Sequence, residues 1–286
     1  MPRYAYVNGR YLPHDAAGVH IEDRGFQFAD GVYEVVTIQG GRLVDEAGHL
    51  DRLGRSLGEL RLAWPMDRPV LQQVMRQLIR RNRVRDGIIY LQITRGTAAR
   101  DFRFPEAATP TLVMTTRRMN LDPARQVAAG VDVVTIPDIR WKRRDIKSVA
   151  LLAQVLGKQQ AAEAGAFEAW QIDEEGMVTE GCSSNAWIVT GDGRLVTRDA
   201  STMILNGITR QSILRLAAEQ GLQFEERAFT VDEARRAREA FLSSATTYVM
   251  PVTRIDGRPV ADGKPGPLSR KLRESYRSYA VGAGAS

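Results

Sequence analysis

The 286-residue chain holds one cysteine, Cys182. It cannot staple itself with a disulfide, and a reducing compartment, the cytoplasm, is the expectation. Its three histidines, His14, His20 and His49, share no metal-ligand spacing, so no metal site is expected. No run of about 18 apolar residues occurs, so no membrane span is expected. Met1-Pro2-Arg3-Tyr4 lacks the apolar core of a signal peptide. No block interleaves basic and aromatic residues as a single-strand nucleic-acid platform would, and no internal repeat is visible. The net charge of +6 is spread among acids along the chain. It points to an anionic small molecule and a generally basic surface, not to nucleic acid or a membrane.

What is present is a globular composition, 43% hydrophobic and 26% charged, in a chain long enough for two ordinary domains. Tyr4–Val7 and Arg10–Leu12 flank Asn8-Gly9, the signature of a type I′ hairpin. Val32–Ile38 and Arg42–Val44 read as strands about Gly40-Gly41. Leu50, Leu53, Leu57 and Leu60 recur at helical spacing, with His49, Asp51, Arg52 and Arg55 on or near the other faces. Pro69 opens a second helix through Val74 and Leu78. Ile88–Thr94 and Leu112–Thr115 are strands around a long polar loop, Arg95–Pro110, of a length that often carries function. Periodicity lapses over Asn120–Ala129, placing the boundary between residues 1–120 and 121–286. Beyond it come strand Val131–Ile136, helix Val149–Ala164, and strands Phe167–Ile172, Met177–Thr179 and Ala186–Val189. Gly191-Asp192-Gly193 turns into Leu195-Val196. Helix Thr209–Gln220, with Gly221 as its cap, strands Ala240–Leu242 and Val252–Ile255, and helix Ser269–Tyr279 complete the chain. The mixture suggests two α+β domains.

Four stretches carry candidate chemistry. In Arg140-Trp141-Lys142-Arg143-Arg144-Asp145-Ile146-Lys147-Ser148, five of nine residues are basic. It is either a solvated turn or a strand-to-helix junction where a lysine meets carbonyl compounds. Thr179-Glu180-Gly181-Cys182-Ser183-Ser184-Asn185 is a polar turn or a place where a ligand lies against the backbone. Leu205-Asn206-Gly207-Ile208-Thr209-Arg210 precedes a helix, so it can seat an anion, and Thr209 can be the N-cap. The hydroxyls of Ser243-Ser244-Ala245-Thr246-Thr247 can hold a phosphate or satisfy their own loop. A lysine, a carboxylate, an anion-seating helix start and a hydroxyl loop are together what pyridoxal 5′-phosphate requires.

These stretches occur in order with Phe28-Ala29-Asp30-Gly31-Val32-Tyr33-Glu34-Val35, His49-Leu50-Asp51-Arg52-Leu53, Thr94-Arg95-Gly96-Thr97 and Met250-Pro251-Val252. The set covers nearly the whole chain. It resembles the class IV aminotransferases, fold-type-IV pyridoxal-phosphate enzymes, and within them most closely the D-amino-acid aminotransferases. The resemblance implies an α+β / α/β fold of two domains with the cofactor cleft between them. The C-terminal domain would carry the lysine and most cofactor contacts, and the enzyme would be a homodimer. It implies Lys147 as Schiff-base lysine and proton shuttle, and Glu180 on the pyridine nitrogen. Arg52, Ile208, Thr209 and Thr246 would hold the phosphate, Leu205 the ring face, and Ser183 and Ser184 would lie near lysine and cofactor. The reaction implied is ping-pong transfer between a D-amino acid of the D-alanine or D-glutamate type and a 2-oxo acid.

In that family a tyrosine, and an arginine and histidine two residues apart on the partner subunit's loop, hold the substrate carboxylate. Tyr33 and Arg100 match; Phe102 stands at the histidine position and cannot donate a hydrogen bond. The departure leaves branched-chain L-amino-acid aminotransferase, (R)-amine transaminase and aminodeoxychorismate lyase as alternatives. A basic anion-binding protein is the non-enzymatic one. Cys182 has no histidine near it in sequence and reads as a small buried filler rather than a nucleophile.

Overall fold

The computed structural model describes residues 3–282, which divide into two compact units. One runs to Asn120 and includes Ile146–Ala150; the other comprises Leu121–Asp145 and Leu151–Gly282. No helix among the described residues is long and apolar enough to cross a membrane.

The first unit contains β1 (Tyr4–Val7), β2 (Arg10–Pro13), α1 (Arg24–Phe28), β3 (Gly31–Gln39), β4 (Arg42–Leu43), α2 (Glu46–Glu59), α3 (Arg68–Asn82), β5 (Gly87–Thr94) and β6 (Thr111–Arg118). Its strands form one antiparallel sheet in the order β2-β1-β6-β5-β3-β4. Asn8 and Gly9 both take positive φ, +44° and +89°, as the type I′ hairpin requires. Leu50, Leu53 and Leu57 of α2 join Leu71, Met75 and Leu78 of α3 and Val32, Val36 and Ile38 of β3 in one core. Each fully buried leucine is worth about 2 kcal/mol over exposure. The period of two along β3 puts Val32, Glu34 and Val36 on that core face and turns Tyr33 and Val35 the other way.

β4 pairs only with Ile38 and Gln39. The start of the same β3 edge is covered instead by Ile146–Ala150: Tyr33 N–H donates to Lys147 O at 3.0 Å, and Val149 N–H to Gly31 O at 3.0 Å. Ile146 joins the first core. The lysine-bearing segment, expected in the C-terminal domain, therefore groups with the first unit. For the same reason the helix expected from Val149 begins only at Leu152: Ser148 and Val149 are already bonded to β3.

The second unit contains α4 (Ala124–Ala129), β7 (Val131–Pro137), α5 (Leu152–Glu163), β8 (Glu168–Ile172), β9 (Val178–Gly181), β10 (Asn185–Val189), β11 (Leu195–Thr197), α6 (Ile208–Glu219), β12 (Phe224–Glu226), α7 (Val231–Arg236), β13 (Glu239–Ser244), β14 (Tyr248–Ile255), β15 (Arg258–Pro259) and α8 (Pro267–Gly282). Its sheet runs β12-β11-β10-β13-β14-β7-β8-β9, with β15 on β14. β7 pairs in parallel with both β14 and β8, and β11 with β12; the other pairs are antiparallel. Trp170, Phe229, Met250 and Val252 lie in its core. α6 ends as the sequence implies, with Gly221 at φ +70° just past it.

Candidate active site

In the first unit, Lys147 lies half-buried with its Nζ 4.2 Å from the centroid of the Tyr33 ring. Its backbone N–H approaches Ser56 Oγ on α2 at 3.4 Å. Tyr33 projects from the face of β3 away from the core, beside Tyr90 of β5 at 5.8 Å between ring centroids. Burial pushes the Tyr90 phenol up to about 12, so it stays protonated and donates to Gln92 Oε1 at 2.6 Å. The structure thus brings Tyr33 and Lys147 together and adds Tyr90, which in sequence is one residue of the strand Ile88–Thr94 with nothing to mark it out.

Arg52 is held from behind. Glu34, fully buried on the core face of β3, accepts from Arg52 Nε and Nη2 at 2.8 Å each. Its Oε2 also faces His49 Nδ1 at 2.8 Å. His49 and Arg52 sit three residues apart on α2, so both reach one carboxylate. Burial pushes the Glu34 carboxyl up, but the charge and hydrogen bonds of Arg52 and His49 outweigh this and hold it down at about 2. Burial lowers the His49 pKa against the pull of Glu34, so a neutral His49 donates from Nδ1. The helix pattern had put His49 and Arg52 on or near the other faces of α2; His49 is instead buried with the leucines, because Glu34 offers it a partner in the core.

The long loop after β5 carries Arg100 and Phe102. Both are exposed, Phe102 at 83%. Arg100 Cζ lies 4.7 Å from the Phe28 centroid and 5.8 Å from that of Phe102.

In the second unit, Glu180 lies within β9 rather than in the turn after it. Its Oε1 accepts from the Arg140 guanidinium and from Leu205 N–H at 3.1 Å, and its Oε2 from Asn185 Nδ2 at 3.1 Å. Arg140 also clasps Asp138, at 2.9 and 2.7 Å. Burial works to raise Asp138, but Arg140, Thr179 and Arg144 hold its carboxyl below the usual range. Burial raises Glu180 against the pull of Arg140 and the Leu205 N–H. Asp138 thus carries the firmer negative charge, and Glu180 is the carboxylate readier to share a proton. Arg140 and Asp138 were not singled out as partners of Glu180; an arginine and an aspartate two residues apart after a strand were the available signal.

Ser183 and Ser184 bond to a carboxylate that no sequence motif marks. Glu168, buried on β8, accepts from Ser183 Oγ at 2.7 Å and Ser184 Oγ at 3.2 Å. Cys182 is buried against Gly157, whose absent Cβ would lie 2.5 Å from Sγ. Burial, with Glu168 nearby, pushes its thiol up to about 12, which suits filler and not nucleophile.

Thr209 is not the N-cap of α6. Gly207 is, without a side-chain cap bond, and Ile208 and Thr209 form the buried first turn. Their N–H groups have no partner inside the helix. A Cβ on Gly207 would lie 2.1 Å from Asn185 Oδ1, so only glycine lets the helix start approach β10. Ser243 Oγ accepts from Trp187 Nε1 at 2.8 Å. Ser244 Oγ contacts Thr246 Oγ1 at 3.2 Å and Thr247 Oγ1 at 2.8 Å, forming a hydroxyl loop with Thr246 half-buried.

A lysine over a tyrosine in the first unit, and a buried carboxylate and an uncapped helix start in the second, are residue types that amine chemistry with an anionic carbonyl cofactor calls for. Comparison with known proteins agrees. Residues 31–255 match the family model for amino-transferase class IV. The chain is 41% identical over 271 residues to the D-alanine aminotransferase of Bacillus licheniformis, covering 95% of each. It is 39% identical over 274 residues to that of Staphylococcus aureus (strain MSSA476), covering 96% of each. Among solved structures, the branched-chain amino acid aminotransferase of Escherichia coli is similar, with TM-score 0.90 and 22% identity over 98% of this chain and 95% of that one. At that identity the likeness speaks for the fold. The chain belongs to the class IV aminotransferases. It has their fold type IV and is a pyridoxal-phosphate-dependent aminotransferase.

The side chains present fit that cofactor. The uncapped start of α6 suits a phosphate, Glu180 suits a ring nitrogen that carries a proton, and the Lys147 amine suits a carbonyl.

Proposed function

We propose that this enzyme exchanges the amino group between a D-amino acid of the D-alanine or D-glutamate type and a 2-oxo acid, in ping-pong fashion. The observation that carries the reading is the agreement of D-alanine aminotransferases at about 40% identity across nearly the whole chain. Pyridoxal phosphate, when bound, supplies the carbonyl that receives the amino group and a ring that accepts electrons. In the first unit, Lys147 would hold the cofactor carbonyl and, once released by substrate, take the proton from the substrate Cα. Arg52, oriented by Glu34, would contribute charge to the phosphate. In the second unit, Glu180 would keep the ring nitrogen protonated, Ile208 and Thr209 would offer N–H and hydroxyl donors to the phosphate with Thr246, and Leu205 would pack on the ring. Ser183 and Ser184 would line the cofactor on the turn that Glu168 fixes. Tyr33 and Arg100 would orient the substrate carboxylate, with Phe102 as an apolar neighbour in place of a donor. The working enzyme is proposed to be a cytoplasmic homodimer, each copy lending its Arg100 loop to the other.

The test is one assay panel on purified enzyme: both enantiomers of alanine, glutamate and leucine, plus (R)-1-phenylethylamine, each with pyruvate or 2-oxoglutarate. D-Alanine and D-glutamate should turn over best. A clear preference for L-leucine or for the amine would overturn the substrate reading. Borohydride reduction of the loaded enzyme should fix the cofactor on Lys147, and label on any other lysine would overturn that assignment.

A further inference from the structure

The loop that carries Arg100 is tied down at both its root and its tip. At the root, Gly96 takes φ +93°, and a Cβ there would lie 2.0 Å from Thr109 O, so the two limbs touch. Arg24 N–H donates to Gly96 O at 2.9 Å, and Ala98 N–H to Glu22 O at 3.4 Å. At the tip the work falls to a single side chain. Arg24 is buried although it opens the short helix α1. Its Nε donates to Asp30 at 2.9 Å, its Nη1 to Asp101 O, and its Nη2 to Phe102 O at 3.5 Å.

Asp30 is itself fixed. It accepts from Arg95 Nε at 2.8 Å and Nη2 at 3.0 Å, and Arg95 Cζ sits 3.7 Å from the Phe104 centroid. Burial pushes the Asp30 carboxyl up, but the two arginines outweigh it and hold it below the usual range. Phe28, at the end of α1, lies 4.7 Å from Arg24 Cζ and 4.7 Å from Arg100 Cζ, with the Phe102 ring 5.4 Å away. One guanidinium thus grips the backbone on the C-terminal side of Arg100 and supports the ring on which Arg100 stacks. Only arginine offers three donors in one plane for a carboxylate and two carbonyls.

We propose that Arg24 is a positioning residue for substrate. It holds Asp101 and Phe102 so that Arg100 presents its charge to the carboxylate from a preset place, rather than from a mobile exposed loop. The inference rests on the reading of Arg100 as a carboxylate ligand. Preset geometry lowers the ordering cost of binding, so its loss appears in KM for carboxylated substrates and spares the cofactor.

The experiment compares loaded wild-type enzyme with Arg24→Lys, Arg24→Met and Arg100→Ala. It measures kcat and KM for D-alanine, the visible band of the bound cofactor, and the rate of tryptic cleavage at Arg100 and Arg103. Both Arg24 variants should raise KM about tenfold, the factor for one lost hydrogen bond of this strength. They should leave kcat within about twofold and the cofactor band unchanged. Trypsin should cut the loop several times faster. If Arg100→Ala raises KM while both Arg24 variants keep the wild-type KM and cleavage rate, the role of Arg24 is refuted and the reading of Arg100 stands. If Arg100→Ala leaves KM unchanged, the reading itself fails. Loss of the cofactor band and of kcat at unchanged KM would assign Arg24 to folding alone and overturn the proposal. Arg24→Lys, which keeps the charge beside Asp30, guards against a Met variant that does not fold.

Discussion

Replacing Glu34 by glutamine isolates the charge in the Glu34–Arg52–His49 cluster. The side chain keeps its shape and one oxygen acceptor, but Arg52, only 9% exposed, loses its counter-ion. Holding the carboxyl at about 2 instead of 4.5 corresponds to about 3 kcal/mol of folding free energy, at 1.36 kcal/mol per unit. Because the folded value lies below the unfolded one, this stability is fully present above pH ~4.5 and disappears as pH falls toward 2. Breaking a buried pair from one side costs a similar 3 to 5 kcal/mol, by order of magnitude (~). Glu34→Gln should therefore be about 3 kcal/mol less stable than wild type at pH 7, in urea denaturation followed by circular dichroism. The gap should close as pH falls from 4.5 toward 2.5, since protonated glutamate resembles glutamine. His49, whose pKa burial depresses, adds a loss of stability below pH ~6.5 in both proteins, which the difference largely cancels. A gap below about 1 kcal/mol at pH 7, or one that stays constant down to pH 2.5, would refute the assignment of the charge to this cluster.

Other outcomes follow from the same geometry. Phe102→His restores a hydrogen-bond donor two residues from Arg100 and should lower KM for D-alanine by about fivefold to tenfold, the worth of one such bond; an unchanged KM would show that this position does not face the carboxylate. Arg140→Met leaves Asp138 and Glu180 without their shared cation and should cost about 3 kcal/mol in urea denaturation, and a loss under 1 kcal/mol would contradict the buried network. Cys182, with its thiol pushed up to about 12, should resist a disulfide reagent at pH 8 until the protein unfolds; rapid labelling of native enzyme would refute its burial.

The sequence made legible those parts whose cause is local. Asn8-Gly9 dictates its hairpin, the leucines of α2 its core face, and Gly221 the end of α6. α1 escaped notice because Arg24-Gly25-Phe26-Gln27-Phe28 has no apolar period; its Asp23 cap and the buried Arg24 hold it instead. α7, one residue longer, rests on the Thr230 cap. Among proposed site residues, Lys147, Arg52, Glu180, Ser183 and Ser184 stand in recognisable stretches, whereas the roles of the groups that orient Arg52, Glu180 and the serines cannot be read there, even where the residue itself, as with Glu34 and Arg140, falls inside one. Glu34, Asp138, Arg140 and Glu168 act across strands or turns, and their roles exist only once the chain has folded. A signal was available for Glu34: a lone acid among Val32, Val36 and Ile38 at core-facing positions must find a cation, and Arg52 is the one α2 offers it.

Lysine usage sharpens the reading of Lys147. Only five of the 40 basic residues are lysines, and Lys142, Lys264 and Lys271 are exposed. Lys158 donates to Phe167 O at 2.7 Å and pairs with Glu168. Where this chain needs a fixed charge it uses arginine, which does not give up its proton. A half-buried lysine over Tyr33 is where it places a primary amine instead of a guanidinium. Lys147→Arg separates the two properties. The backbone bonds of residues 147–149 to β3 do not depend on the side chain, and a guanidinium can also stack on Tyr33. Stability should stay within about 0.5 kcal/mol of wild type. Turnover of D-alanine should fall by at least about a thousandfold, the scale of a lost proton-transfer group. If the arginine variant kept more than about a tenth of the activity, far above that scale, proton transfer at the substrate Cα would belong to another residue. Lys147 would then be a structural cation like those around it.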